Sequence, residues 1–188
     1  MSFEETDEEI IVSYKNGEQE ALRILIHRYT TPLYNFVARL VGQRNASDIV
    51  QEIFIKVWKN IRRFNPTKAS FKTWIFTVAK NTTTDFLRKK KSLVFSDIKK
   101  GDDENVDSFA NNIPAENLLP DEILQKLEDV EILNRTLEKL RLDYREVLTL
   151  YYQEEMTFEE IGKVLDKPLN TVKSQHRRAI IELRKMLI

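Results

Sequence analysis

The chain has 188 residues, no cysteine and two histidines, and its 30 basic residues balance its 30 acidic ones. Without cysteine there are no disulfides, no thiolate metal sites and no cysteine nucleophile, and His27 and His176 alone make a histidine-based metal site a poor fit. With 41% hydrophobic and 32% charged residues, the composition suits one or two small soluble domains. Four glycines, five prolines and few alternating runs indicate an all-α fold. No apolar run is long enough to span a bilayer, and the start of the chain is acidic where a signal peptide is basic. The expected location is therefore the cytoplasm, without membrane insertion.

Thr6 followed by Glu9 fits a capping box, which predicts a first helix from Asp7 to about Asn16, stopping at Gly17. A second helix begins near Glu18 on Ala21, Leu22, Leu25, Ile26 and Tyr29. Pro32 then restarts a helix through Leu33, Phe36, Val37 and Leu40 to about Val41. Asn45, Ala46 and Ser47 make a cap for a helix from Asp48 to about Arg63. Ile49, Val50, Ile53, Phe54, Val57, Trp58 and Ile61 form its wide apolar face, and Gln51, Glu52, Ile55, Lys56 and Lys59 fall largely on the other side. Asp48 reads there as a first-turn carboxylate favoured by the helix dipole. Asn65 to Ser70, with Pro66, reads as a loop, and a long helix runs from Ser70 or Phe71 to about Lys91.

Charge is strongly segregated along this order. Met1 to Glu20 holds seven acids and one lysine, whereas Ile53 to Lys91 holds eleven Lys or Arg against the single acid Asp85. Phe54, Trp58, Phe64, Phe71, Trp74, Phe76 and Phe86 are interleaved with that basic charge. Single-stranded nucleic acid fits such a surface, because phosphates track the charge and unstacked bases settle on rings at roughly 1–3 kcal/mol each. An apolar stripe at helical spacing is more often core, which is the reading for Phe54, Trp58, Phe76 and Phe86. Phe64, Phe71 and Trp74 border the loop and are better placed to meet a ligand.

Ser96 to Pro120 reads as a linker, and eleven acids against three lysines from Ser96 to Glu131 make it acidic. It is either a solvated tether or an imitation of nucleic acid in a basic channel. Helical periodicity returns at about Asp121, on Ile123, Leu124, Leu127, Val130, Leu133, Leu137 and Leu140, and Val147, Leu148, Leu150 and Tyr151 mark another helix. Thr157 with Glu160 gives a second capping box before a short helix on Ile161, Val164 and Leu165. Asp166 to Asn170 forms a turn, and a last helix runs from Thr171 to about Leu187. Helix, short turn and helix is the pattern of a helix-turn-helix, whose second helix enters the major groove. Val172, Ala179, Ile180, Leu183 and Leu187 share its inward face, and Lys173, Ser174, Arg177 and Arg178 lie opposite. Basic helices of this kind are also often just solvated.

Three segments together resemble the sigma factors of bacterial RNA polymerase, in their extracytoplasmic-function group. They are Arg28–Tyr34 continuing to Asp48–Phe54; Ser70–Trp74 with Ala79, Asn81, Asp85, Leu87 and Arg88; and Tyr144–Val147 with Thr157, Glu160–Gly162, Thr171–Ser174, Arg178 and Ala179. Asn170 stands where that family commonly has glycine, and Gln175 and His176 where it more often has arginine and an apolar residue. The resemblance implies two small helical domains joined by an acidic flexible linker: 1–95 for core binding, −10 recognition and melting; 96–122 as linker; and 123–188 as the −35 reader.

By the same resemblance Asp48, Gln51, Glu52 and Phe54 contact the β′ clamp helices of polymerase core. Asn65, Lys68, Ser70, Phe71, Lys72, Trp74 and Asn81 hold the melted −10 strand, and Thr171, Lys173, Ser174, Arg177 and Arg178 meet duplex −35 DNA. The apolar helices around Leu137, Leu140, Val147 and Leu148 meet the β flap, and an anti-sigma factor is implied as a further partner. No cofactor, metal or active site is expected. A stand-alone helix-turn-helix regulator has no use for a strand-capturing groove, and a DNA-modifying enzyme lacks its histidine cluster or acidic triad. A purely protein-binding adaptor leaves the basic region without a partner.

Overall fold

The computed structural model describes residues 5–97, 136, 137 and 139–187, and the side chains among these other than 93–97 and 187. Among the described residues seven α-helices follow in order: α1 Asp7–Lys15, α2 Gln19–Val41, α3 Gln43–Asn60, α4 Phe71–Asp97, α5 Leu142–Tyr152, α6 Phe158–Leu165 and α7 Leu169–Leu187. One 3-10 turn, Ile61–Arg63, extends α3, and the described residues contain no strand. The expected linker from Ser96 to Pro120 and the apolar set Ile123–Leu133 lie outside the described residues, apart from the end of α4.

Both capping boxes form, because each needs only residues three apart. The Thr6 hydroxyl accepts from the Glu9 amide at 3.3 Å and Glu9 accepts from the Thr6 amide at 2.8 Å; Thr157 and Glu160 repeat the arrangement at the same two distances.

The other boundaries are set by packing. Pro32 does not restart a helix but lies inside the continuous α2, whose stripe Ala21, Leu25, Tyr29, Leu33, Phe36, Val37 and Leu40 is buried on both sides of it. That continuous burial outweighs the lost backbone donor, which ordinarily costs about 3 kcal/mol. α3 starts at Gln43, five residues before Asp48, because Gly42 turns the chain at φ +85° and Ala46 is then fully buried. Asp48 is therefore outside the first turn, and the dipole reading of it does not hold. In the turn between α6 and α7 the left-handed residue is Asp166, with φ +55°, while Asn170 sits in the first turn of α7.

α2 packs on α1, α3 and α4, α4 also packs on α3, and Leu33, Phe36, Val37, Ile53, Ile61, Phe71 and Phe76 fill the centre. This core does not stop at the N-terminal helices. α4 packs on α6 and α2 on α5, so that Val147, Leu150, Met156, Ile161, Val164, Leu165 and Val172 belong to the same cluster. A second cluster of Leu137, Leu140, Tyr144, Leu148, Ala179, Ile180 and Leu183 joins α5 to α7.

Within the helix-turn-helix, Gly162 is a close-approach position: a Cβ there would lie 2.9 Å from the Lys167 carbonyl oxygen, which is backbone and cannot swing away. Gly162→Ala should lower stability by about 1–3 kcal/mol, as overpacking of a fixed site does. Urea unfolding checks this, and an unchanged midpoint would show that the turn can shift freely.

Candidate nucleic-acid interface

The loop between the 3-10 turn and α4 is built from below by rings and from the side by α1. Phe64, Phe71 and Trp74 pack with centroids 5.5–5.6 Å apart, and Tyr29 closes edge-on against Phe71 at 5.4 Å. Phe71 is fully buried and Phe64 nearly so. Neither can stack a base here, so Phe71 leaves the strand-contact set. A ring flanking a loop is recruited to the core when its helix starts there, and Phe71 is the first residue of α4.

α1 clamps both ends of the loop. Glu8 accepts from the Phe71 amide at 3.1 Å, and the Lys15 ammonium donates to the Phe64 carbonyl at 3.0 Å. Asp7 in turn accepts from Arg28 and from the Tyr29 hydroxyl of α2. The desolvated Tyr29 hydroxyl, beside that carboxylate, has its pKa raised far above the ordinary tyrosine value. Asn65 braces the loop from within, its side-chain oxygen accepting from the Thr67 amide at 3.0 Å and the Thr67 hydroxyl at 2.8 Å. Ser70 caps α4 by accepting from the Thr73 amide at 3.2 Å. Asn65, Lys68 and Ser70 are exposed, and Lys72 and Trp74 are half-buried.

The structure separates some of the residues that the sequence placed together. At about 100° per residue, Trp74 and Asn81 share a face of α4, whereas Lys72 lies roughly 160° away from Trp74. Lys72 points instead to the α5–α6 loop, donating to the Glu154 carbonyl oxygen with Glu154 Oε2 at 3.8 Å.

On α3, Asp48, Gln51 and Glu52 are exposed and Phe54 is half-buried against the core. Glu52 is paired with Lys56 at 2.9 Å, and Lys56 also donates to the Thr82 hydroxyl at 3.1 Å. Ile55 and Trp58, not among the expected contacts, are 51% and 58% exposed beside them. The buried arc of α3 centres on the direction of Ala46; Phe54 lies roughly 80° from it and Trp58 roughly 120°, outside the arc. Trp58 is therefore surface, not core, and it extends the stripe begun by Asp48.

In the C-terminal reader, Lys173 and Arg178 are exposed, and Thr171, Ser174 and Arg177 are half-buried. The Ser174 hydroxyl donates to the Thr171 carbonyl at 2.9 Å, and the Arg177 Nε is buried without a hydrogen-bond partner. Gln175 faces inward: it accepts from Lys167 and donates to Asp143, each at 3.1 Å. His176 is 7% exposed among Tyr151, Tyr152 and Phe158, with centroids 4.7–5.6 Å away and its Nε2 3.2 Å from the Tyr152 hydroxyl. Leu137, Leu140, Val147 and Leu148 are all buried, which removes them as direct flap contacts in this arrangement. Among the described residues no group of three or more His, Cys, Asp or Glu is disposed to hold a metal, and no helix is long and apolar enough to cross a membrane.

A glycine-packed helix, a left-handed turn and a basic second helix, beside a braced basic loop, define a helical DNA-binding protein with a helix-turn-helix reader. Comparison with known proteins makes that class specific. Residues 25–93 match the Sigma-70 region 2 family and residues 131–183 the Sigma-70 region 4 family. The chain is 33% identical to the ECF RNA polymerase sigma factor SigW of Bacillus subtilis, covering 94% of each. It is 32% identical to the ECF RNA polymerase sigma-E factor of Escherichia coli, covering 95% of this chain and 93% of the other. Among solved structures, CnrH in complex with the cytosolic domain of CnrY aligns over 97% of each chain with TM-score 0.68 and 22% identity. The sigma factor RpoE of Bartonella quintana, in complex with the anti-sigma factor NepR, covers 88% of this chain and 95% of the other with TM-score 0.67 and 22% identity, so these two show the fold.

The chain belongs to the extracytoplasmic-function group of the sigma-70 family. It is a promoter-recognising subunit that directs transcription initiation with RNA polymerase.

Burial holds the His176 pKa below its ordinary 6.5. The native state then binds fewer protons at this site than the unfolded chain, so the stability it secures is complete above about pH 6.5 and is lost as pH falls below it. Glu146 and Glu154 act with the opposite sign, because burial raises their pKa values. The wild type should therefore lose stability between pH 7.5 and 5.5 relative to His176→Phe in paired urea titrations; parallel curves would contradict the assignment.

Proposed function

We propose that the division of labour in this sigma factor follows the two packed units, with 1–95 binding polymerase core and the −10 strand, 96–122 tethering, and 123–188 reading the −35 duplex. The observation that carries this reading is the loop Asn65–Ser70, clamped by Glu8 and Lys15 and presenting Asn65, Lys68 and Ser70 to solvent at the head of a basic helix. Capturing a base that has left the stack needs a preformed, positively charged rim, since unstacking costs a few kcal/mol. Lys72 joins that rim once its ammonium leaves the Glu154 carbonyl, and Trp74 and Asn81 continue it along α4.

Asp48, Gln51 and Glu52, with Phe54 at the margin and Ile55 and Trp58 added, form the surface for the β′ clamp helices: an apolar patch rimmed by acids and lysines, of the kind that partners cover. Thr171, Lys173, Ser174, Arg177 and Arg178 are the duplex contacts, with a guanidinium able to grip guanine by two hydrogen bonds. The C-terminal unit as a whole meets the β flap. Because two structural relatives were solved with the CnrY domain and with an anti-sigma factor, an anti-sigma partner is part of the proposal. The protein acts in the cytoplasm as a subunit without an active site of its own.

Mixing the chain with sigma-free polymerase core tests the whole: co-elution and selective initiation on a promoter library are expected, and duplex binding without core binding would contradict it. Trp74→Ala should leave co-elution intact and reduce promoter opening, read by permanganate reactivity, by about five- to a hundred-fold, the equivalent of one lost base stack. Arg178→Ala should relax the −35 preference by about 1–3 kcal/mol at one base pair, measured by competition on mutated promoters.

A further inference from the structure

The head of α4 has an anion already in place. Of the amides that open this helix, that of Thr73 is met by the neutral Ser70 hydroxyl at 3.2 Å, whereas that of Phe71 is met by a carboxylate from another helix, Glu8 Oε1 at 3.1 Å. A neutral oxygen caps such an amide about as well as a charged one. A charge here works against a surface that must attract phosphate, because a helix N-terminus with its dipole is where a phosphate would otherwise settle. The nearby cations stand elsewhere. Lys68 is exposed within the loop, Arg63 is exposed before it, Arg62 lies over the Tyr14 ring at 5.8 Å, and the Lys15 ammonium is engaged by the Phe64 carbonyl. Glu8 itself is half-buried and bonded directly to the residue after Ser70.

We propose that Glu8 is a specificity-determining residue of the strand site: its carboxylate keeps strand phosphate off the first turn of α4, so that the loop Asn65–Ser70 receives a base in place of the backbone. This deepens the reading of the loop as the strand site and rests on it. A groove of cations and rings holds any single strand, through phosphate and stacking alike. Sequence is read only from the base, so discrimination improves where phosphate contact is made unfavourable beside the groups that meet a base edge. Glu8 supplies that repulsion at short range, while its hydrogen bond holds the Phe71 amide, and Ser70 next to it, in position. Glutamine separates the two effects, since it can keep the hydrogen bond and lacks the charge.

The loop residues Asn65, Lys68 and Ser70 are exposed in the chain as it stands, so the full-length protein is used. It is titrated with two fluorescein-labelled single-stranded dodecamers, one of degenerate sequence and one abasic throughout, and the ratio of the two affinities weighs base capture against phosphate capture. Glu8→Gln should raise affinity for the abasic strand by about three- to ten-fold, and by more than for the degenerate strand, so that the ratio falls. The salt dependence of abasic binding should steepen by about 0.7, the mark of one added phosphate contact. Glu18→Gln, the same charge change on an exposed residue whose side chain caps nothing, should leave the ratio at the wild-type value. An equal effect of Glu18→Gln would reduce the result to net charge and overturn the proposal. A joint fall of both affinities in Glu8→Gln overturns it as well, leaving Glu8 as a brace of the loop alone. Trp74→Ala, measured alongside, separates this proposal from the reading beneath it. If Trp74→Ala lowers the degenerate affinity while Glu8→Gln changes nothing, only the role of Glu8 fails; if Trp74→Ala changes nothing, the strand does not bind this face and both fail.

Discussion

The Phe71 amide, the first of α4, is satisfied by a carboxylate sixty-three positions earlier in the sequence: Glu8 of α1. Much of the N-terminal unit depends on that bond and its counterpart from Lys15 to the Phe64 carbonyl. Together they fix where the loop leaves the 3-10 turn and where α4 begins. With α4 fixed, Phe71 seals against Tyr29, Phe64 and Trp74, and the polar loop residues are displayed above the rings. Four orphan amides open every helix, and meeting one with a distant carboxylate both caps α4 and anchors α1. Asp7 completes the anchor by accepting from Arg28 and Tyr29. The acidic start of the chain is thus a structural partner of the basic region as well as a balance to its charge.

That pairing revises the electrostatics suggested by composition. Eleven basic residues against one acid between Ile53 and Lys91 describe a sequence interval, not a surface. In the fold, Lys56 meets Glu52, Arg88 meets Asp85 and Lys72 meets Glu154. Exposed pairs such as Arg88–Asp85 contribute at most about 1 kcal/mol and yield readily to phosphate. The Lys72 pair is different because its carboxylate is buried, so breaking it leaves Glu154 with Arg39 as its facing cation.

Local sequence signals were legible and long-range ones were not. Both capping boxes and the turn of the reader could be read because their partners lie within a few residues, and the inward face of α7 followed from its period. Trp58 and Phe71 were misplaced for a common reason. A wide apolar face does not reveal which edge a neighbour will cover, and neither does a ring beside a loop; packing of α2 and α4 exposes Trp58 and buries Phe71. Pro32 was overestimated as a boundary because continuous burial of α2 overrides a local penalty. The loop at the head of α4 was legible, but its clamp by α1 and the turning of Lys72 toward Glu154 depend on contacts far apart in sequence.

The reader illustrates how an inward residue can matter to recognition without touching DNA. His176 is held in a box of three rings contributed by α5 and α6, and Gln175 bridges Lys167 to Asp143. His176 faces the core between Ser174 and Arg177 in sequence, and Gln175 flanks Arg178 about one turn away on α7. They therefore fix the rotation and depth of the helix, and the outward residues inherit that geometry. A bidentate contact tolerates little rotation, since both hydrogen bonds must remain near linear. Replacing an apolar residue by a buried histidine thus ties the aim of the recognition helix to a protonation state that burial keeps neutral at physiological pH. The departure from the family pattern at this position changes what holds the helix.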